Sequence, residues 1–195
     1  MKVLKKLLIA LLVLGALFYF VGIPYLQSYT KKYSPETTTT YDFDGTELQV
    51  HYSSPSKKER EIFGALVPYG KVWRTGANEP TTFTTSTGIK IIDKPLPAGT
   101  YSIWTIPNKE SWKIIFNKEV PDWGVTLSSG GRETTRNEAA DVLQVEVPVR
   151  TLSQTQENFT ISFEDKEQSY LSFAWDRVKI NVPISKLSQG KPTIN

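Results

Sequence analysis

The sequence predicts an all-β domain, a β-sandwich or jelly-roll-like fold, preceded by one N-terminal transmembrane helix. Three observations carry this reading: short alternating apolar and polar runs broken by Gly, Pro, Asn and Asp, almost no helical apolar period behind the N-terminal region, and one long uncharged apolar run at the front. A chain of 195 residues can hold one domain with a sizeable core and such an appendage.

The appendage is "MKVLKKLLIALLVLGALFYFVGIPYLQ". Residues 1–6 carry Lys2, Lys5 and Lys6 and read as a cytoplasmic n-region; residues 7–26 are uncharged and read as the span. About 20 apolar residues cross a bilayer as a helix, whereas the apolar part of a cleaved secretory signal is about 7 to 15 residues long. Phe18 to Phe20 and Ile23 to Leu26 are bulky and leave no small-x-small cleavage pattern, so an uncleaved signal anchor is favoured over a removed signal peptide. The lysines before the span place the N-terminus in the cytoplasm and translocate the rest to the periplasm or cell exterior, making the chain a single-pass membrane protein. With no cysteine there is no disulfide and no lipid-modified Cys, so the span itself is the anchor.

Residues 27–38, including "SYTKKYSPE", are polar and read as a short stalk. The β-domain is expected over 39–185. It starts with a hairpin, "TTTYDFDGTELQVHYSS", turning at Asp44-Gly45, with Leu48, Val50 and Tyr52 on one face and Glu47, Gln49 and His51 on the other. "PSKKEREIFGALVPYG" is expected to be one short helical turn or a loop. Strands follow at 81–86, 89–92, 100–106, 112–117, 142–149, 159–163, 170–175 and 178–182. "TYSIWTI" is apolar on both faces and should be central and covered on both sides. The tail, 186–195, has no pattern and should be frayed.

The charge balance excludes some partners. Of 23 Lys and Arg, three precede the span, leaving 20 against 20 Asp and Glu in the translocated part. A near-neutral domain without a basic run argues against nucleic acid. Lys31-Lys32 and Lys57-Lys58 read as solvated loop pairs.

The residue inventory also narrows the chemistry. No Cys and one His, His51 on the polar face of its strand, argue against a zinc site, and no metal or other cofactor is expected. "DFDGT" reads as turn chemistry rather than the start of a calcium loop. There is no nucleophile elbow, and "SSGGRETT" fits neither phosphate-loop nor dinucleotide spacing. Paired carboxylates remain open, with Glu79 the first to test and its partner unnamed. Trp104 and Trp175 lie in strand patterns and read as core, whereas Trp73 and Trp123 lie in loops and are candidates for stacking on a ligand.

The densest constellation is "YGKVWRTGANEPTTFTTS", residues 69–86. Gly76-Ala77-Asn78 tolerates positive φ and suits a tight turn. Arg74 and Glu79 flank it and could pair across it, and the same turn would present a guanidinium, an amide and a carboxylate at a sheet edge. Trp73, Arg74, Asn78, Glu79 and His51 are the candidate ligand-binding residues, and no catalytic residue is assigned.

These residues, with "VHYSSPSKKEREIFGALVPYGKVWRTGANEPTTFTTS", "LPAGTYSIWTIPNKESWKIIFNK", "WG" at Trp123-Gly124, "DVLQVEV" and "FAWDRVKINVPI", resemble the DUF2911 family over roughly residues 40 to 184. The family pattern usually has Gly-Arg before "IFG", where this chain has Glu59-Arg60, and commonly Leu-Arg-Val at Leu143-Gln144-Val145. The resemblance implies an exported or envelope-associated domain of unknown function and supplies no catalytic residues. Three readings stand: a non-catalytic module binding an envelope ligand or protein partner, a structural domain in which the motif is a buried corner, and a carboxylate-dependent hydrolase acting on envelope glycans through Glu79.

Overall fold

The computed structural model describes residues 2–126 and 128–187. Its first part is one continuous helical run: α1 (Lys2–Leu17), a π-helical turn (Phe18–Gly22) and α2 (Ile23–Lys31). The π turn has a local cause. Proline lacks an N–H and its ring crowds the carbonyl four residues back; opening the turn before Pro24, so that the Ile23 N–H bonds the Phe18 carbonyl, makes room for that ring. No residue of this run is buried, and it is long and apolar enough to be a membrane span or a signal sequence. Helix continues to Lys31, so the first residues of the expected stalk form its last turn, and Tyr33 and Ser34 bond back to the Thr30 and Lys31 carbonyls.

The rest is mainly β. β1 (Glu36–Phe43) and β2 (Thr46–Ser53) make the expected hairpin, with Asp44 and Gly45 both at positive φ. The Asp42 carboxylate accepts the Gly45 N–H at 2.7 Å, so the acidic turn serves the hairpin. β3 (Thr81–Thr85), β4 (Ile89–Ile91), β5 (Lys94–Leu96), β6 (Gly99–Pro107), β7 (Ser111–Asn117), β8 (Asp141–Asp165) and β9 (Ser169–Lys186) follow. They form one open nine-stranded sheet in the order β1-β2-β3-β6-β7-β8-β9-β4-β5, antiparallel at every pairing. The sheet curls. Thr39 and Tyr52 on the first two strands donate to the Ile161 carbonyl in the far half of β8, and the Tyr41 ring stacks on Phe163 at 5.1 Å.

Several elements differ from expectation. The runs at 142–149 and 159–163 are the two ends of one 25-residue strand, and those at 170–175 and 178–182 belong to one 18-residue strand. Residues 150–158 have no buried member and their ladder slips register, so neither alternation nor an apolar run marks them. β5 contains Pro95 and lies at the sheet edge, the place where a strand tolerates proline. The segment 55–70 is a loop that drops Ile62, Phe63 and Val67 into the core. At the C-terminus, Lys186 closes β9, and residues 188–195 of the expected tail lie outside the described residues.

β6 is covered on both faces, as its pattern implies. Ile103 faces the main core, while Trp104 is fully buried on the other face opposite Ile115, under a segment pinned by Ser102 Oγ donating to the Glu119 carbonyl. The main core is richest in aromatic rings at one end. There Trp73, Trp175, Trp112, Phe63 and Phe159 pack edge-on or stacked with centroids 4.9 to 6.3 Å apart.

Candidate functional site

The loop 73–80 is built above this aromatic end. Trp73 exchanges both backbone hydrogen bonds with Thr105 of β6, and its Nε1 donates to the Gly76 carbonyl at 3.0 Å. Trp73 is 8% exposed and packs as part of the aromatic core. Thr75 is fully buried at φ 60°, an unfavourable conformation for a β-branched residue. Its hydroxyl is held by the Trp73 carbonyl and Thr105 Oγ1, and its carbonyl accepts from Thr81 Oγ1, which keeps the turn in place. Gly76 sits at φ 146°, where a Cβ would lie 2.8 Å from the Ser53 carbonyl. Asn78, at φ 57°, is buried, with its amide 3.4 Å from Ser53 Oγ.

Arg74 and Glu79 do not pair. Glu79 binds Lys31 Nζ at 2.7 Å, and the same ammonium holds Glu36 at 2.6 Å, so the turn's carboxylate ties the end of α2 to the sheet. The hydrogen bond from Lys31, and then its charge, hold the Glu36 carboxyl below the usual carboxylate range. The two carboxylates share this one cation.

The Arg74 side chain lies on Gly124, whose N–H bonds the Asn78 carbonyl at 3.0 Å; a Cβ at Gly124 would come within 2.9 Å of the Arg74 Cβ. The "WG" and "WRTGANE" segments are thus in direct contact. Arg74 Nε is enclosed without a hydrogen-bond partner among the described residues, and burial lowers the guanidinium pKa from its ordinary value.

Two concavities share Arg74, Trp73, Leu66 and Val67 as a wall. The first, about 460 Å³, is completed by Asn78, Trp175, Lys58 and Arg60, and by Thr30, Tyr33 and Ser34 at the helix end. The second, about 790 Å³, adds Lys71, Arg132 and Glu133. Lys58, Arg60, Lys71, Arg74 and Arg132 therefore converge on one region, with Glu133 the one carboxylate among the described lining residues. None of these five cations is in an ion pair among the described residues.

Of the expected site residues, Trp73, Arg74 and Asn78 meet at the first concavity. Glu79 lies outside both, at the helix end, and His51 sits on the outer face of β2 with Nδ1 2.9 Å from Thr38 Oγ1. Trp123 is partly exposed beside the site, its carbonyl accepting from Thr135 Oγ1. Lys58 and Arg60, from the loop 55–70, Lys71, directly after it, and Arg132, from the segment before β8, escape sequence reasoning because each stretch resembles a solvated surface segment. One signal existed: Lys58 and Glu59 sit at φ 49° and 60°, so a special turn falls where the family pattern has its glycine.

An N-terminal apolar helix followed by a curled antiparallel sheet with an open basic cleft defines the class: a mainly β domain carried behind a signal or anchor helix. The chain belongs to the DUF2911 family, proteins of unknown function, whose model matches residues 34–184. Among curated proteins and among solved structures, nothing matches the chain.

Proposed function

We propose that this protein is a membrane-anchored, exported binding module of the cell envelope, non-catalytic, that takes an anionic ligand in the cleft around Arg74. The carrying observation is Arg74, whose Nε is enclosed without a hydrogen-bond partner among the described residues, within a group of five cations that form no ion pair among them. A buried N–H of a charged group without a partner is costly, and an anion bound to the Arg74 guanidinium would strengthen its hydrogen bonding in the cleft. In this reading the N-terminus is cytoplasmic, the curled sheet works as a two-layered, sandwich-like scaffold, and Trp73 forms the floor beneath Arg74 and Asn78. Glu79 fixes the helix end through Lys31, and His51 lies on the neighbouring outer face.

The test uses full-length protein in non-ionic detergent, with tryptophan fluorescence as readout because Trp73 and Trp175 border the cleft. Citrate, sulfate and inorganic phosphate are titrated against glucose. At least one anion is expected to saturate while glucose does not, and Arg74→Gln should weaken binding about tenfold or more. The proposal fails if every anion behaves like glucose, or if Arg74→Gln binds as wild type.

A further inference from the structure

We infer that the smaller concavity takes a phosphate-bearing group presented at the membrane surface, the chemistry of an anionic phospholipid headgroup. This deepens the anionic-ligand reading and rests on it, and on the anchor staying attached. The first argument is depth. The apolar run ends at Leu26, where polar Gln27 and Ser28 follow, and Thr30, which lines the concavity, lies four residues further along the same helix, about 6 Å at 1.5 Å per residue. A bilayer adds about 5 to 7 Å of headgroup on each side of its hydrocarbon core, so Thr30 falls within that layer when the run spans.

The helix surface agrees with this depth. Tyr25, Tyr29 and Tyr33 recur every four residues, are 69%, 47% and 52% exposed, and the last two meet through their hydroxyls at 3.0 Å. Tyrosines grouped just past an apolar span are the side chains that settle at the membrane interface. Lys58 Nζ sits 4.7 Å from the Tyr33 ring centroid, so the basic loop is already gathered at this level.

The second argument is chemistry. A headgroup phosphate exposes several oxygens to cations and hydroxyl donors together, and the concavity offers Lys58, Arg60 and Arg74 beside Tyr33 and Ser34, with no carboxylate among its described lining residues. Its volume of about 460 Å³ exceeds that of a simple ion and suits a small organic headgroup. The third is constraint. Lys31 links α2 to Glu36 and Glu79, so the concavity is held at the helix end rather than carried away on a free stalk.

The test reconstitutes the full chain in nanodiscs of phosphatidylcholine, alone or with roughly one fifth phosphatidylglycerol, an anionic surface lipid. Lipids retained after detergent release are counted by native mass spectrometry. In a second arm, inorganic phosphate and glycerol phosphate are titrated into the phosphatidylcholine discs with tryptophan fluorescence as readout. A retained phosphatidylglycerol is expected that soluble phosphate displaces, and the double variant Lys58→Gln with Arg60→Gln should reduce retention about tenfold. Both side chains are exposed, and Arg60 also donates to the Ser56 and Lys57 carbonyls, so the variant's melting temperature is measured alongside and Lys58→Gln alone, which removes no such bond, should reduce retention in the same direction. Equal retention by the variant overturns the proposal, because the lipid would then be held elsewhere, as at the lysines before the span. If soluble phosphate saturates the site but phosphatidylglycerol is neither retained nor competes, the membrane source is overturned and the anionic-ligand reading stands. If neither binds, both fall.

Discussion

At the scale of single residues, Gly124 is the contact on which the candidate site depends. The Arg74 side chain runs across it and the Asn78 carbonyl accepts its N–H, so a methyl group there would lie 2.9 Å from the Arg74 Cβ and 3.0 Å from the Asn78 carbonyl. Neither neighbour can yield freely, because Asn78 belongs to a turn fixed by Thr75 and Gly76. Gly124→Ala is therefore expected to cost about 1–3 kcal/mol, as overpacking typically does, and to weaken anion binding by displacing Arg74. Thermal unfolding and the fluorescence titration on one sample check both parts; unchanged stability with unchanged binding would contradict the contact. Part of this was legible in the chain. Gly76-Ala77-Asn78 announces a turn by its tolerance of positive φ, whereas nothing about a threonine forecasts the left-handed Thr75. The expected Arg74–Glu79 pairing fails because Lys31, more than forty residues earlier in the chain, competes for the carboxylate, and such a competitor becomes visible only in three dimensions.

Among elements, strands were legible wherever one face alternates into the core, and were lost where β8 passes through residues exposed on both sides. The start of β8 shows what holds an element without such a pattern. Asp141 accepts Arg136 Nε at 3.0 Å and a second bond from Arg136 Nη2, and Asn117 and Gln144 also donate to it; the two charged side chains are only 8% and 9% exposed. Burial alone would push the Asp141 carboxyl up. The hydrogen bonds from Arg136 and Asn117, the Arg136 charge and the Gln144 amide together outweigh it, and the group ends below the usual carboxylate range. A carboxylate with a depressed folded pKa contributes stability that is complete above its unfolded pKa, about 3.9, and is lost as pH falls toward the folded value. Asp141→Asn is thus expected to cost about 3 kcal/mol at neutral pH, near the lower end for breaking a buried pair. The loss should shrink as pH falls below ~4, where the unfolded wild-type chain binds a proton at Asp141 that the folded state does not yet bind. Melting temperatures of both proteins across that range check it. A gap that stays constant to low pH would show that Asp141 acts through packing rather than charge.

For the whole molecule, composition showed a neutral domain behind an apolar helix but not how its charges are distributed. The five cations at the cleft are balanced by carboxylates elsewhere, which leaves the overall count even. The junction between helix and domain was equally hidden, because residues 27–38 read as a polar stalk and a stalk implies free swing. Lys31 bridging Glu36 and Glu79 argues for a fixed angle instead. The three side chains are 32% to 43% exposed, so the bridge adds little stability, from near zero to about 1 kcal/mol for surface pairs of this kind. Its effect should be on orientation. Lys31→Gln is expected to leave the melting temperature almost unchanged while letting the domain tilt relative to the helix. The chain has no cysteine, so Ser28→Cys with Glu47→Cys gives two unique, exposed spin-label sites, one on the helix and one on β2. Electron spin resonance distances in nanodiscs should be narrowly distributed with Lys31 present and broad in Lys31→Gln. A broad distribution in both would mean that the domain swings freely, and the depth argument for a membrane-facing concavity would lose its support.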